Sequence, residues 1–235
     1  MEQSAEYIRA CYDAVAREYA DRFAGELAHK PLDRELLDRF AAEVRGRGEV
    51  CDLGCGPGQT TAYLHARGVR VCGLDLSAGL LREAGRRHPG VAFEPGDLLA
   101  LPRADGTLAG VVGFYAIVHL SPAQLRRAVA EVYRVLRPGG RLLLAFHAGE
   151  GTVRVEGFLG RPVAMDFAFF RPPAVAGELV GAGFVGVEVV ERDPYPGVEY
   201  PSRRVYVLAL KPAGGDASRP ADTHTAADRG GISEI

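Results

Sequence analysis

Lysine is almost missing from this chain: of its 28 lysine and arginine residues, only Lys30 and Lys211 are lysines. The bias toward arginine is global, so no single arginine is marked out by it, whereas Lys30 is conspicuous. Acidic and basic residues nearly cancel, at a net charge of −2, which argues against tight binding to polyanionic nucleic acid. No apolar run approaches the roughly 18 residues of a membrane-spanning helix. Met1-Glu2-Gln3-Ser4 has neither the basic nor the apolar region of a signal peptide. A cytoplasmic protein without a membrane partner is the expectation; its oligomeric state is not legible. Cysteine is scarce too. Cys11, Cys51, Cys55 and Cys72 are present, and no second Cys or His pair lies near Cys51 and Cys55 to complete a zinc site. Buried, reduced thiols and no metal are expected.

At 235 residues, 47% of them hydrophobic, the chain fits one α/β domain with small additions. Ile8, Tyr12, Val15, Tyr19 and Phe23 recur every three or four residues and predict an amphipathic helix. Leu32, Leu36, Phe40 and Val44 predict a second, from about Pro31 to Val44, so that residues 1–44 form a helical cap. From 45 to 211 strands and helices alternate. Strands fall at 49–53, 69–75, 91–95, 108–114 and 140–147, with helices at 57–66, 77–88 and 121–137. Such alternation specifies a mostly parallel sheet with helices on both faces. Ser121, Pro122 and Gln124 supply the cap, N1 proline and N3 glutamine of a capping box. Arg137-Pro138-Gly139-Gly140 ends that helix and turns the chain into the next strand. Residues 148–171 read as an irregular insert, followed by a helix at 173–182 and a final antiparallel pair at 184–192 and 203–210. From Pro212 to Ile235 there is no Leu, Val, Met or aromatic residue, and a disordered tail is expected.

The segment Val50-Cys51-Asp52-Leu53-Gly54-Cys55-Gly56-Pro57-Gly58-Gln59-Thr60 is the most informative. Gly54, Gly56 and Gly58 make a tight turn that lets backbone approach a ligand. Asp52, at the strand's carboxyl end, points a carboxylate into the same crevice, where it suits a cationic amine and repels a pyrophosphate. In the dinucleotide fingerprint Gly-x-Gly-x-x-Gly the place of the third glycine is held here by Gln59. The next strand ends at Asp75, where a βαβ unit presents an acid to the ribose hydroxyls; a capping aspartate before Ser77 is the alternative. Gly96-Asp97-Leu98 follows the third strand, and Leu136-Arg137-Pro138-Gly139-Gly140 precedes the fifth.

In this order the motifs resemble class I S-adenosylmethionine (SAM) dependent methyltransferases over about residues 45–147. Residues 5–44 and 148–210 are more weakly similar, to small bacterial methyltransferases of mostly unassigned substrate. The resemblance implies a Rossmann-like α/β sheet with its last strand antiparallel, SAM as cofactor, and a small-molecule acceptor methylated on O, N or C. It implies that Asp52, Gly54, Gly56, Gln59 and Thr60 surround the methionine end. Asp75 would bind ribose, Leu76 pack on adenine, Asp97 and Leu98 hold the adenine edge, and Tyr115 border the methionine. An NAD(P)-dependent oxidoreductase and a SAM-binding protein without catalysis are the alternatives.

Methyl transfer from a sulfonium is an in-line displacement that needs no covalent protein nucleophile. A base is needed where the acceptor must lose a proton. His119, between a strand and a helix at the sheet's carboxyl edge, is the first candidate, with an orienting or packing role as its alternative. His147, ending the next strand, faces the same crevice or is a polar strand end. Tyr12 and Tyr19 pack in the core by default, although in similar enzymes this helix covers the cofactor; Tyr19 is the further catalytic candidate. Lys30 holds an anionic acceptor or sits on the surface before Pro31. Residues 195–204 contribute polar contacts to the acceptor or form a rigid turn. The fourth strand ends in Gly113-Phe114-Tyr115, without the Asn/Asp-Pro-Pro-Tyr motif of exocyclic-nitrogen methylation or the aspartate of metal-dependent catechol methylation.

Overall fold

Seven strands form one sheet in the order β3-β2-β1-β4-β5-β9-β8 in the computed structural model, which describes residues 3–214. These are β1 (Glu49–Leu53), β2 (Val71–Asp75), β3 (Ala92–Pro95), β4 (Leu108–Phe114), β5 (Leu136–His147), β8 (Val185–Arg192) and β9 (Arg204–Leu210). β1 to β5 pair in parallel, and β9 runs antiparallel to both β5 and β8. Valines and leucines in consecutive rather than alternate positions make this a sheet buried on both faces. Val50, Val112, Leu143 and Leu208 pack under α2 (Pro31–Val44) and α3 (Gln59–His65). Cys51, Val111, Leu142, Leu144 and Val207 pack under α5 (Pro122–Val135) and α6 (Pro172–Gly181).

The strand order reverses between β1 and β4, so their carboxyl ends diverge and open a crevice at the sheet's edge. α1 (Ala5–Phe23), capped by Ser4, is fastened beside this crevice by Asp13, which accepts from Ser77 Oγ at 2.6 Å and Gly79 N at 2.7 Å. Ser77 caps α4 (Ala78–Arg87). Gly79 permits the contact, because a Cβ there would stand 2.9 Å from Ala16 Cβ.

The α5 capping box forms as its sequence dictates. β5, however, begins at Leu136 rather than 140, and the turn residues become a bulge in its pairing with β4. Its backbone groups are satisfied from outside, with Gly139 N donating to Lys211 O and Lys211 N to Gly140 O. The insert is less irregular than expected, since β6 (Thr152–Val155) and β7 (Met165–Ala168) pair as an antiparallel hairpin. The four cysteines are buried and free. Among the described residues no helix is long and apolar enough to cross a membrane. The expectation of a disordered tail concerns, beyond Gly214, residues outside those described.

Candidate active site

The crevice widens into a cavity of about 350 Å³ between the sheet edge, α1 and the β6–β7 hairpin. Gly54, Gly56 and Gly58 all adopt left-handed backbone, with φ of +59°, +54° and +84°. Gly54 faces the cavity, and a Cβ on it would come within 3.0 Å of Ala116 Cβ. Asp75 holds the turn from the next strand. Its Oδ2 accepts from Gly56 N at 2.9 Å and its Oδ1 from Ser77 N at 2.8 Å. Each oxygen keeps a further lone pair, and Asp75 lines the cavity. Burial raises its pKa, which the backbone donors at Ser77 and Gly56 partly offset. Leu76, Leu98 and Asp97 line the same end; Asp97 Oδ1 is taken by Leu99 N at 2.8 Å.

Asp52, Gln59 and Thr60 are not on the cavity wall. Asp52 lies on the same face of β1 as Val50, the face covered by α3, because side chains alternate along a strand. Its Oδ2 accepts from Thr61 Oγ1 at 2.6 Å, and burial together with the charge of Asp75 lifts its pKa to about 7 despite the Thr61 hydrogen bonds. Its carboxylate therefore points away from the crevice, contrary to expectation. Thr60 is buried, and Gln59 donates to Glu26 Oε1 at 3.4 Å. A folded-state pKa above the ordinary value of 3.8 means that stability falls as pH rises from there through about 7. Asp52→Asn should flatten this decline, measured as the urea midpoint between pH 5 and 8; an unchanged slope would place the titration elsewhere.

Tyr115, just past β4, has φ +62°, a strained conformation of the kind that collects at functional sites. Lys30 Nζ lies 5.4 Å and Arg204 Cζ 5.6 Å from the centre of its ring. Both cations are buried and held by Glu199, whose side chain is 1% exposed. Lys30 also pairs with Glu26 at 2.8 Å, so it is neither a surface lysine nor a free one. Arg192 bridges Glu199 and Asp33, and Tyr206 donates to Asp33 at 2.6 Å. Residues 195–204 thus do more than turn the chain: Glu199, Tyr200 and Arg204 line the cavity.

His119 and His147 both reach the cavity, as do Tyr12 and Tyr19. His119 Nδ1 lies 2.8 Å from the Asp166 carbonyl oxygen, which can only accept, so Nδ1 carries the proton. Nε2 then accepts from Tyr12 Oη at 2.8 Å. Burial lowers the His119 pKa below 6.5 and raises that of Tyr12. His119 is therefore neutral, with its one lone pair occupied by Tyr12. Tyr19 covers the glycine turn, 3.7 Å from where a Gly56 Cβ would stand. Burial and the charges of Glu26 and Asp75 raise its pKa, which disfavours a basic phenolate. Phe158, Phe167 and Phe169 from the insert complete an aromatic wall that strand periodicity did not reveal.

The left-handed turn, the acid at the second strand's end and the seven-strand order together define a class I methyltransferase fold. The family model described as a methyltransferase domain matches residues 50–140. A demethylmenaquinone methyltransferase of Beutenbergia cavernae is 36% identical over 142 residues, covering 59% of this chain and 57% of that protein. A malonyl-[acyl-carrier protein] O-methyltransferase of Erwinia billingiae is 34% identical over 135 residues, covering 56% and 53%. The chain spans about half the length of the curated relatives it matches. Among solved structures, the DhpI complex with S-adenosylhomocysteine superposes with a TM-score of 0.67 at 23% identity, over 88% of this chain and 97% of that one. Residues 50–140 thus match a methyltransferase domain, and the chain has the fold of solved SAM-dependent methyltransferases.

Proposed function

We propose that the protein transfers a methyl group from SAM to O, N or C of a small-molecule acceptor. One observation carries this reading: Asp75 and the left-handed glycine turn share one cavity with the Tyr12–His119 pair and an aromatic wall. The donors fit the cofactor. Asp75 offers carboxylate lone pairs to ribose hydroxyls, Gly54 and Gly56 leave room for backbone approach, and Leu76, Asp97 and Leu98 suit adenine. Tyr19 and Tyr115 border the methionine end, while Asp52, Gln59 and Thr60 support the turn from behind. When bound, SAM supplies a methyl group made electrophilic by the sulfonium. The protein's share is to orient the acceptor, exclude water and manage a proton. His119 receives that proton through the Tyr12 hydroxyl, the group whose oxygen is left to face an acceptor.

Asp75→Ala should weaken SAM binding by about 1.5–3 kcal/mol, the scale of a hydrogen bond to a charged group. Calorimetry on the folded variant measures this. A melting shift with NAD but none with SAM would overturn the cofactor assignment.

A further inference from the structure

His147 ends β5 and lines the cavity, yet its surroundings differ from those of His119. Arg204 Nη1 donates to Ser202 Oγ at 2.5 Å, and a guanidinium has only donors to offer. Ser202 Oγ in turn lies 2.8 Å from His147 Nδ1. Ser202 Oγ meets no other acceptor among the described residues, so its hydroxyl hydrogen is satisfied by donating to Nδ1, which leaves the ring proton on Nε2. Arg204 is itself fixed, since Nη1 and Nη2 also donate to the carbonyls of Ser202 and Tyr200 at 2.5 and 3.0 Å. The imidazole stands against Tyr115 and Phe169, with ring centres 5.0 and 5.3 Å away. Burial and the charges of Arg204 and Lys30, opposed by that of Glu199, push its pKa to about 4, so the ring is neutral near pH 7.

The carboxylates at this end are committed. Glu199 Oε1 meets Lys30 at 3.2 Å and Arg192 at 2.9 Å, while its Oε2 meets Arg192 at 2.6 Å and Tyr195 N at 2.9 Å. Glu26 is engaged by Lys30 and Gln59. Among the described residues an incoming cation finds no free carboxylate at this end, whereas an oxygen bearing negative charge finds the His147 Nε2–H, which makes no hydrogen bond within the protein.

We infer that His147 Nε2–H is a donor that recognises an anionic oxygen, carboxylate or phenolate, on the acceptor. His147 then selects the substrate class instead of acting as a base, and Ser202 and Arg204 are positioning residues that set its tautomer. This rests on the cavity being the acceptor site, and the two ideas are tested separately.

Nitrogen-15 NMR of the ligand-free protein should find the His147 proton on Nε2 and that of His119 on Nδ1. Ser202→Ala should release the His147 preference alone. Benzoate, 4-nitrophenolate and benzylamine are then titrated into protein saturated with S-adenosylhomocysteine. At least one anion should bind tenfold or more tightly than benzylamine, and the stronger anion identifies the oxygen class. His147→Phe should abolish that preference, and His147→Gln, which keeps an N–H donor at similar reach, should retain most of it. A proton on Nδ1, no anion preference, or a preference unchanged in His147→Phe would overturn the inference. Failure of S-adenosylhomocysteine itself to bind would instead remove the methyltransferase reading and leave the tautomer result standing.

Discussion

Glu199→Ala is expected to lower the unfolding free energy by about 3–5 kcal/mol, the range for removing one partner of a buried ion pair. The side chain is 1% exposed and lies among Lys30, Arg192 and Arg204. Without it Lys30 keeps Glu26 and Arg192 keeps Asp33, but Arg204 keeps no carboxylate within pairing distance among the described residues. That cation would be buried with only carbonyl and hydroxyl oxygens for compensation. A urea midpoint close to that of the unsubstituted protein would show that the pairing contributes little. The pH dependence gives a second measure. Burial alone would raise the Glu199 pKa, but Arg192, the Tyr195 N–H, Lys30 and Arg204 outweigh it and bring it to about 2. A folded-state value below the ordinary 4.5 means that the charge stabilises above that pH and that the gain is lost as pH falls toward 2. Glu199→Gln should therefore show a shallower acid limb than the unsubstituted protein.

How much of this site the sequence discloses depends on how local each part is. The glycine turn and Asp75 are legible because strand, turn and helix follow one another within one βαβ unit, and their spacing carries the geometry. His119 and His147 are legible by place, each falling where a strand ends at the sheet's ligand edge. Asp52 misleads for a reason available in the same strand. It shares the parity of Val50, and period-two alternation sends both toward α3 rather than the crevice. The insert hides its hairpin because strands of four residues are too short to show alternation. Lys30 stands out by composition alone, but its meaning comes from Glu199, 169 positions away. No local pattern encodes that pairing, nor the placing of β9 between β5 and β8. Tyr12 is the clearest case: helical periodicity puts it on the packed face, and only the fold brings its hydroxyl to His119.

That contact makes the catalytic prediction sharper than one histidine at a strand end would allow. His119→Ala should lower kcat by roughly 10²–10⁴, the usual contribution of general acid–base catalysis, while SAM affinity is unchanged. Because His119 Nε2 is occupied by the Tyr12 hydroxyl, Tyr12→Phe should produce a loss of the same order. The double variant should lose little more than either single one, as groups acting as a unit do. Rates are read as S-adenosylhomocysteine formed with an acceptor identified from a metabolite extract. The pH profile follows from burial, which holds the His119 pKa below 6.5. Its neutral, proton-accepting form persists to lower pH than for an exposed histidine, so the acid limb of kcat should lie below that value. If the pair only orients the acceptor, KM rises in both variants while kcat and its acid limb stay in place. Additive losses in the double variant would sink the relay even if each single loss were large, because two independent contacts, and not one proton path through Tyr12, would then account for them.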